Sequence, residues 1–208
     1  ARRSGHCEGP PPPRHPDPDM SRVYLIRHAK PSATWGGDDD DPGLDDLGRS
    51  QAKSAAEALL ALPPEHRPTR VVSSPLRRCQ ETATPFAQAI GAVLEIDPAV
   101  GEIPSPAALP PEERGPWLRH AFGGTWAEIK GDLDYDAWRG EVVRAVASRE
   151  HAAVFSHFVA INAVLTALAG EPQVITLRPD HASISVLELT GGVLSVLERG
   201  RVAPTQVL

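Results

Sequence analysis

Short apolar runs rich in valine and isoleucine alternate along this chain with longer segments of helical periodicity. Four of the runs predict buried strands: 22–27, 69–74, 93–96 and 152–157. Four other segments predict helices: 47–62, 76–91, 134–150 and 158–170. Repeated strand–helix units of this kind predict an α/β fold, a three-layer sandwich in which helices cover both faces of a mostly parallel central sheet.

Two regions depart from this alternation. Residues 183–189 and 193–199 predict a pair of closing strands joined by a turn at Gly191 and Gly192. Residues 97–124 are rich in proline and glycine, so they predict a long loop. A loop of that length commonly serves as a lid or an insertion near a functional site.

The chain has 208 residues, of which 41% are hydrophobic, and this suits one domain with a large core. Residues 1–19 show no apolar period and are dense in proline, so they predict a disordered N-terminal extension. Met20, the single methionine, immediately precedes the first predicted strand. We therefore expect one folded domain over residues 20–208.

Composition and charge narrow the classes of function. A net charge of −6 argues against a nucleic-acid partner, and no run approaches the ~18 apolar residues of a membrane span. Cys7 and Cys79 imply no disulfide framework, and the expected location is the reducing cytoplasm. The consecutive acids from Asp38 to Asp41 predict a solvated acidic loop rather than a metal site, because no second ligand cluster accompanies them.

Cationic and imidazole side chains follow three of the predicted strands, at the point where each strand ends. Arg27 and His28 end the first strand, Arg77 stands one helical turn beyond the second, and His157 ends the fourth. In open α/β sheets, ligands bind beyond the carboxyl ends of the strands. Helix N-termini there would add free N–H groups and partial positive charge. Like charges brought together in this way predict a site for a polyanion.

A phosphoryl group fits this set of side chains best. The planar fork of arginine grips two oxygens at once, and a neutral histidine can act as a nucleophile. Each residue alone has a plainer reading, since Arg27 or Arg77 could be a surface ion-pair partner and His157 a hydrogen-bonded strand-end histidine. The four together, each just past a strand, favour a phosphate site.

Three sequence stretches resemble the histidine phosphatase superfamily, whose fold is the phosphoglycerate mutase-like fold. They are LIRHAKPS at 25–32, SSPLRRCQETA at 73–83 and VFSHFVAI at 154–161. The superfamily's first block is Arg-His followed by a small residue, and its second is Ser-Ser-Pro-x-x-Arg followed by Thr-Ala. The resemblance extends from Met20 to about Leu197.

This resemblance implies roles for individual residues. His28 would be the nucleophile that becomes phosphorylated, and Arg27, Arg77 and His157 would form the phosphate pocket with it. Glu102, in the stretch VGEIPSP, would protonate the departing oxygen.

Some positions differ from the superfamily's common pattern, and these bear on the substrate. Ala29 and Lys30 after the histidine resemble a small phosphohistidine phosphatase branch that lacks the acid, and Phe158 stands where glycine is common. His181 precedes a predicted strand, so it could lie at the pocket rim or face solvent.

The function expected from these residues is hydrolysis of small-molecule phosphomonoesters through a phosphohistidine intermediate, without a metal or another cofactor. Four alternatives remain: a phosphoglycerate mutase-type transfer, a protein phosphohistidine phosphatase, a phosphate-binding module without turnover, and a metal-dependent hydrolase. The physiological substrate and the oligomeric state are left open by the sequence.

Overall fold

The computed structural model describes residues 20–33, 39 and 41–203. In this part of the chain, six strands form one sheet: β1 (Met20–Arg27), β2 (Arg70–Ser73), β3 (Leu94–Ile96), β4 (Ala152–Ser156), β5 (Ile184–Thr190) and β6 (Val193–Glu198). Five α-helices accompany them: α1 (Asp46–Leu60), α2 (Arg77–Ile90), α3 (Pro111–Phe122), α4 (Tyr135–Ala147) and α5 (Phe158–Ala169).

The strand order in the sheet is β3-β2-β4-β1-β5-β6. β1 pairs in parallel with β4, β4 with β2, and β2 with β3, whereas β5 and β6 run antiparallel to their neighbours. The sheet is therefore mostly parallel, as predicted, and β1 lies near its centre. Because the strands end at one edge, the residues that follow β1, β2 and β4 meet there.

Alternation along β1 shows how the layers are built. Val23 and Leu25 belong to the core that includes α3, α4 and α5, while Tyr24 and Ile26 belong to the core that includes α1 and α2. Successive side chains of a strand point to opposite faces of its sheet, so helices cover both faces. The expected three-layer α/β sandwich is confirmed.

Local signals located most of the elements correctly. The side chain of Asp45 caps α1 by accepting a hydrogen bond from the Gly48 N–H at 2.7 Å, which satisfies a free donor of the first turn. Gly191 and Gly192 join β5 to β6 with φ values of 57° and 82°. Glycine adopts such left-handed conformations at little steric cost, so this turn forms where it was predicted.

The prediction of a long loop over 97–124 was wrong in part, because the region contains α3. Pro110 is the N-cap residue of this helix and Pro111 its first residue, a position that needs no N–H donor. Pro116 lies within the helix. Two of the prolines that indicated a loop, Pro110 and Pro111, therefore mark the start of α3.

Two further expectations concern residues outside the described part of the chain. One is the disordered extension at 1–19, and the other is the acidic loop, of which Asp38 and Asp40 are not described. Within the part of the chain that is described, no helix is both long and apolar enough to cross a membrane.

Candidate active site

The strand ends bring the two predicted histidines together. The His28 N–H donates to the Ser156 carbonyl at 2.9 Å, which continues the parallel pairing of β1 with β4 by one residue. His157 follows directly as the N-cap residue of α5. As a result the ring centroids of His28 and His157 lie 5.3 Å apart, and both side chains are buried.

The protonation state of His28 follows from one contact. Its Nδ1 lies 2.8 Å from the carbonyl oxygen of Ala29. A carbonyl can only accept, so Nδ1 carries the proton and Nε2 keeps its lone pair. Burial, followed by the proximity of a second imidazole, His157, and of the cations Arg27 and Arg78, holds the pKa of His28 well below 6.5. The ring is therefore neutral at pH 7 and has one basic nitrogen available.

Arg78, not predicted from the sequence, contacts the second histidine. Its Nη2 donates to Nδ1 of His157 at 3.3 Å, and the other ring nitrogen, Nε2, therefore donates to the Ser74 hydroxyl at 2.7 Å. Burial, followed by the charges of Arg78 and Arg27, holds the pKa of His157 well below 6.5. His157 thus bridges the end of β2 and helix α2 as a neutral ring.

Arg27 is buried with an incomplete set of partners. Its Nη1 donates to the Pro179 carbonyl at 2.9 Å, and its guanidinium lies 5.2 Å from the ring centroid of Phe158. Among the described residues, its Nε has no hydrogen-bond partner. Burial lowers the pKa of Arg27 to about 10, so it remains a cation at pH 7. A buried, under-bonded guanidinium is costly unless an anion joins it.

The structure corrects the expectation for Arg77. Its side chain is 63% exposed, and its Nε donates to Glu81 at 2.6 Å. Arg78 lies one residue further along α2 and is only 5% exposed. Residues four apart share a helix face, so Arg77 lies with Glu81 on the outer face and Arg78 with buried Thr82 on the inner face. Counted strictly, the Ser-Ser-Pro-x-x-Arg motif that starts at Ser73 also places its arginine at 78.

Glu102 is close to this cluster, as the resemblance implied. Its Oε2 lies 3.8 Å from Nδ1 of His157, and its Oε1 accepts from the Ile103 N–H at 3.0 Å. Burial raises the pKa of Glu102, against the lowering effects of the Ile103 N–H and of Arg78 and Arg27. A carboxyl group of this kind holds its proton to a higher pH than an exposed glutamate does, which suits it to donate a proton.

The acidic loop contributes one residue next to α2. The carboxylate of Asp41 accepts from the Arg77 N–H at 2.8 Å and 3.1 Å, and it lies 4.0 Å from Nη1 of Arg78. This carboxylate stabilises the N-terminus of α2, where the helix dipole is positive. Within the described ranges, no group of three or more His, Cys, Asp or Glu residues is arranged to hold a metal ion.

The sequence left open whether His181 lies at the pocket rim or faces solvent. Its ring centroid lies 5.7 Å from that of His28. β5 runs antiparallel to β1, so its N-terminal end, which His181 precedes, lies at the carboxyl edge of β1. A search restricted to the carboxyl ends of strands misses such a residue.

Taken together, the buried guanidinium groups of Arg27 and Arg78 and the neutral ring of His157 lie close to His28, and the carboxyl of Glu102 lies beside His157. Such a set can bind a tetrahedral anion, offer a nucleophile to its central atom and supply a proton. Burial excludes the plainer reading of Arg27 as a surface ion-pair partner. His157 is a hydrogen-bonded histidine at a strand end, as its plainer reading held, and it also lies beside His28.

Comparisons with known proteins bear on the fold and on the sequence pattern of residues 23–108. The model of the histidine phosphatase superfamily (branch 1) matches residues 23–108. A curated relative, "Probable phosphoglycerate mutase GpmB" of Cronobacter sakazakii, is 28% identical over 195 residues, 80% of this chain and 84% of the relative.

A mycobacterial glucosyl-3-phosphoglycerate phosphatase has a TM-score of 0.63 at 23% identity, covering 86% of this chain and 98% of that one. A phosphoserine phosphatase mutant from Entamoeba histolytica, in complex with phosphoserine, has a TM-score of 0.66 at 16% identity, with 85% and 95% covered. The chain therefore resembles the histidine phosphatase superfamily in its motifs and over residues 23–108, which the family model matches, and it shares the fold of these solved structures.

Proposed function

We propose that this protein is a metal-independent phosphatase that hydrolyses small phosphomonoesters through a phosphohistidine intermediate. The observation that carries the proposal is the state of His28. Its Nδ1 proton is held by the Ala29 carbonyl, which leaves Nε2 basic inside a buried cationic cluster. A neutral imidazole nitrogen among cations is suited to attack a phosphorus atom whose negative oxygens those cations hold.

The reaction has two steps. Nε2 of His28 attacks phosphorus while the ester P–O bond breaks, and the departing oxygen takes a proton from Glu102. Water then attacks phosphorus and the P–N bond breaks, which returns its electron pair to Nε2. The Glu102 carboxylate takes a proton from that water, so both residues end as they began.

Arg27 and Arg78 supply the charge stabilisation. Phosphoryl transfer depends mainly on positioning and on neutralising charge that spreads over the equatorial oxygens. Both guanidinium groups are buried, where low polarity strengthens their attraction to an anion. Arg27 also has an Nε–H that no described residue accepts, so it has capacity for a phosphoryl oxygen. A bound anion would favour the protonated form of His157, and the added N–H of the ring would then donate a further hydrogen bond.

A mutase is the second candidate, and the name of the Cronobacter relative favours it. It shares the first step but passes the phosphoryl group back to a substrate hydroxyl instead of to water. The names of two solved structures of the same fold favour hydrolysis of small phosphorylated metabolites, since they describe phosphatases. A protein phosphohistidine phosphatase and a phosphate-binding module without turnover are the remaining alternatives.

The test uses the wild-type protein with p-nitrophenyl phosphate and a panel of phosphorylated metabolites, each with and without EDTA. We expect hydrolysis that EDTA leaves unchanged. Acid-free quenching with radiolabelled substrate should trap a phosphoenzyme that is stable in alkali and labile in acid, as P–N bonds are. Transfer between carbon positions of phosphoglycerate, without release of phosphate, would replace the phosphatase by the mutase. Phosphate binding with no turnover on any substrate would leave only a binding module.

Replacing Glu102 with glutamine should separate substrates by their leaving group. We expect kcat/KM for an alkyl phosphate to fall by about 10²-fold, because an alkoxide leaves poorly without a proton donor. The loss on p-nitrophenyl phosphate should stay below about 5-fold, because that phenolate needs little help to leave.

The pH dependence provides a second readout on Glu102. Because burial raises its pKa, the protonated acid persists above pH 4.5 and is lost as the pH rises through the raised value. The wild-type advantage over Glu102→Gln on alkyl phosphates should therefore shrink with rising pH. Equal slowing of alkyl and aryl substrates at every pH would assign proton donation to another group. Glu112→Gln, in the exposed first turn of α3, is the matched control and should change neither rate.

A further inference from the structure

A strained turn holds His181 beside the proposed nucleophile. The Ser183 N–H donates to the Asp180 carbonyl at 3.1 Å and closes the turn, and Ala182 has a φ of 55°. This left-handed conformation favours glycine, so an alanine there adopts it against its own preference. Strain of this kind persists only where surrounding contacts hold it, and it concentrates at functional sites.

The surrounding contacts come from the end of β1. The Ala182 N–H donates to the Arg27 carbonyl at 3.1 Å, and the Arg27 N–H donates to the Ser183 carbonyl at 3.1 Å. The side chain of Arg27 donates in turn to the Pro179 carbonyl at 2.9 Å. The turn and the residue before His28 are therefore fixed to each other by three hydrogen bonds.

The imidazole of His181 faces the nucleophile from the side that His157 does not occupy. β4, which precedes His157, and β5, which follows His181, flank β1 on its two sides. The two ring centroids lie 5.3 Å and 5.7 Å from that of His28. Among the described residues, neither ring nitrogen of His181 has a hydrogen-bond partner; only its backbone N–H is bonded, to Asp180 at 2.8 Å. Its N–H donor is therefore available to a ligand.

The charges around this ring favour a neutral donor. Burial, and then the charge of Arg27, lower the pKa of His181 to about 4, against the opposite effect of Asp180. Lys30 and Asp45 also face it, and they are paired with each other at 2.6 Å. At neutral pH the ring is uncharged and one of its nitrogens carries a proton.

We propose that His181 is a phosphate-binding residue, whose ring N–H donates a hydrogen bond to an oxygen of the phosphoryl group held at His28. The inference rests on the proposed function for the identity of the anion. It adds a third imidazole to the site, delivered by the one antiparallel neighbour of β1. With His157 on the other flank, the phosphoryl group is gripped from both sides of the nucleophile.

Three variants test the contact. His181→Leu removes the donor at similar volume, His181→Asn keeps an N–H donor, and His120→Leu replaces an exposed histidine of α3 as the control. We expect His181→Leu to lower kcat/KM and to weaken orthovanadate inhibition by the same factor, about 10- to 100-fold, the usual worth of a hydrogen bond to a charged group. His181→Asn should stay within about 3-fold of wild type and His120→Leu within about 2-fold.

A purely structural role predicts a different pattern. If His181 only shapes the turn, the Asn and Leu variants should lose activity together with their melting temperature, and vanadate affinity should follow folding; that result would overturn the proposal. If His181→Leu does not fold, His181→Ala takes its place with the same expected losses. Unchanged vanadate inhibition in a folded His181→Leu or His181→Ala would also overturn it.

Ring titration by NMR gives a readout that a structural role would not move. A phosphate dianion in contact with the ring should raise the pKa of His181 from about 4, whereas a ring remote from the anion should titrate unchanged.

Direct binding of inorganic phosphate, measured by calorimetry, separates this inference from the proposed function. A wild-type protein that binds phosphate without turnover removes the phosphatase, yet weaker binding by His181→Leu would still support the contact. Turnover through a phosphoenzyme with unaltered kinetics and binding in His181→Leu would leave the phosphatase intact and remove the contact.

Discussion

His28→Ala is expected to abolish turnover, with a fall in kcat of about 10⁴-fold or more, and to leave no trappable phosphoenzyme. Loss of a nucleophile removes the covalent route entirely, and what survives is catalysis by the remaining charges alone. The measurement is hydrolysis of p-nitrophenyl phosphate, together with radiolabel retained on the protein after quenching. Vanadate binding should weaken far less than kcat, because Arg27, Arg78 and His157 remain to hold an anion.

The pH profile of the wild type checks the same residue. Burial keeps the pKa of His28 well below 6.5, so Nε2 stays unprotonated as the pH falls through the ordinary imidazole value. We expect kcat/KM on an aryl phosphate to show no loss from histidine protonation in that range. His66→Ala, in the short helix Pro64–His66, is the control and should behave as wild type. Comparable slow rates in wild type and His28→Ala would contradict the covalent mechanism.

The second large effect distinguishes two adjacent arginines. Arg78→Ala is expected to lower kcat/KM by about 10²- to 10³-fold, the range seen when a preorganised donor to transition-state charge is lost. Arg77→Ala should change it by less than about 3-fold, because Arg77 is exposed and its ion pair with Glu81 is worth little. Arg77→Ala is a close control for Arg78→Ala, because both variants remove an arginine from the same turn of α2.

Folding must be separated from catalysis in Arg78→Ala, because that side chain also hydrogen-bonds His157. Arg78→Lys keeps the charge and loses the planar fork, so it should retain folding and still lose about 10-fold or more. Melting temperatures and vanadate inhibition are measured beside the rates. A larger loss in Arg77→Ala than in a folded Arg78→Ala would show that the outer arginine contacts the phosphoryl group.

Much of the fold could be predicted because its signals are local. The apolar run ending at Arg27, the Asp45 cap and the Gly191–Gly192 turn each depend on a few neighbouring residues. The meeting of His28 with His157 was also predictable, because parallel strands end at one edge and each histidine follows such a strand.

The sequence analysis failed where a residue's place depended on which helix face is buried or on the direction of a strand. Which of Arg77 and Arg78 turns inward depends on the buried face of α2, although the spacing of the Ser-Ser-Pro-x-x-Arg motif from Ser73 already pointed to Arg78. His181 could not be placed because nothing before the structure fixed β5 as antiparallel to β1. The raised pKa of Glu102 arises from burial, which only tertiary packing creates.

The position of β1 between β4 and β5 determines when the candidate active site can assemble as the chain is synthesised. β1 is synthesised before the other five strands, but its two neighbours in the sheet begin at Ala152 and Ile184. Until those residues are available, Arg27 and His28 lack the backbone acceptors and donors that fix them. A chain that ends before β4 therefore cannot assemble the cluster around His28, and the turn beside His181 is added only with the residues that precede β5.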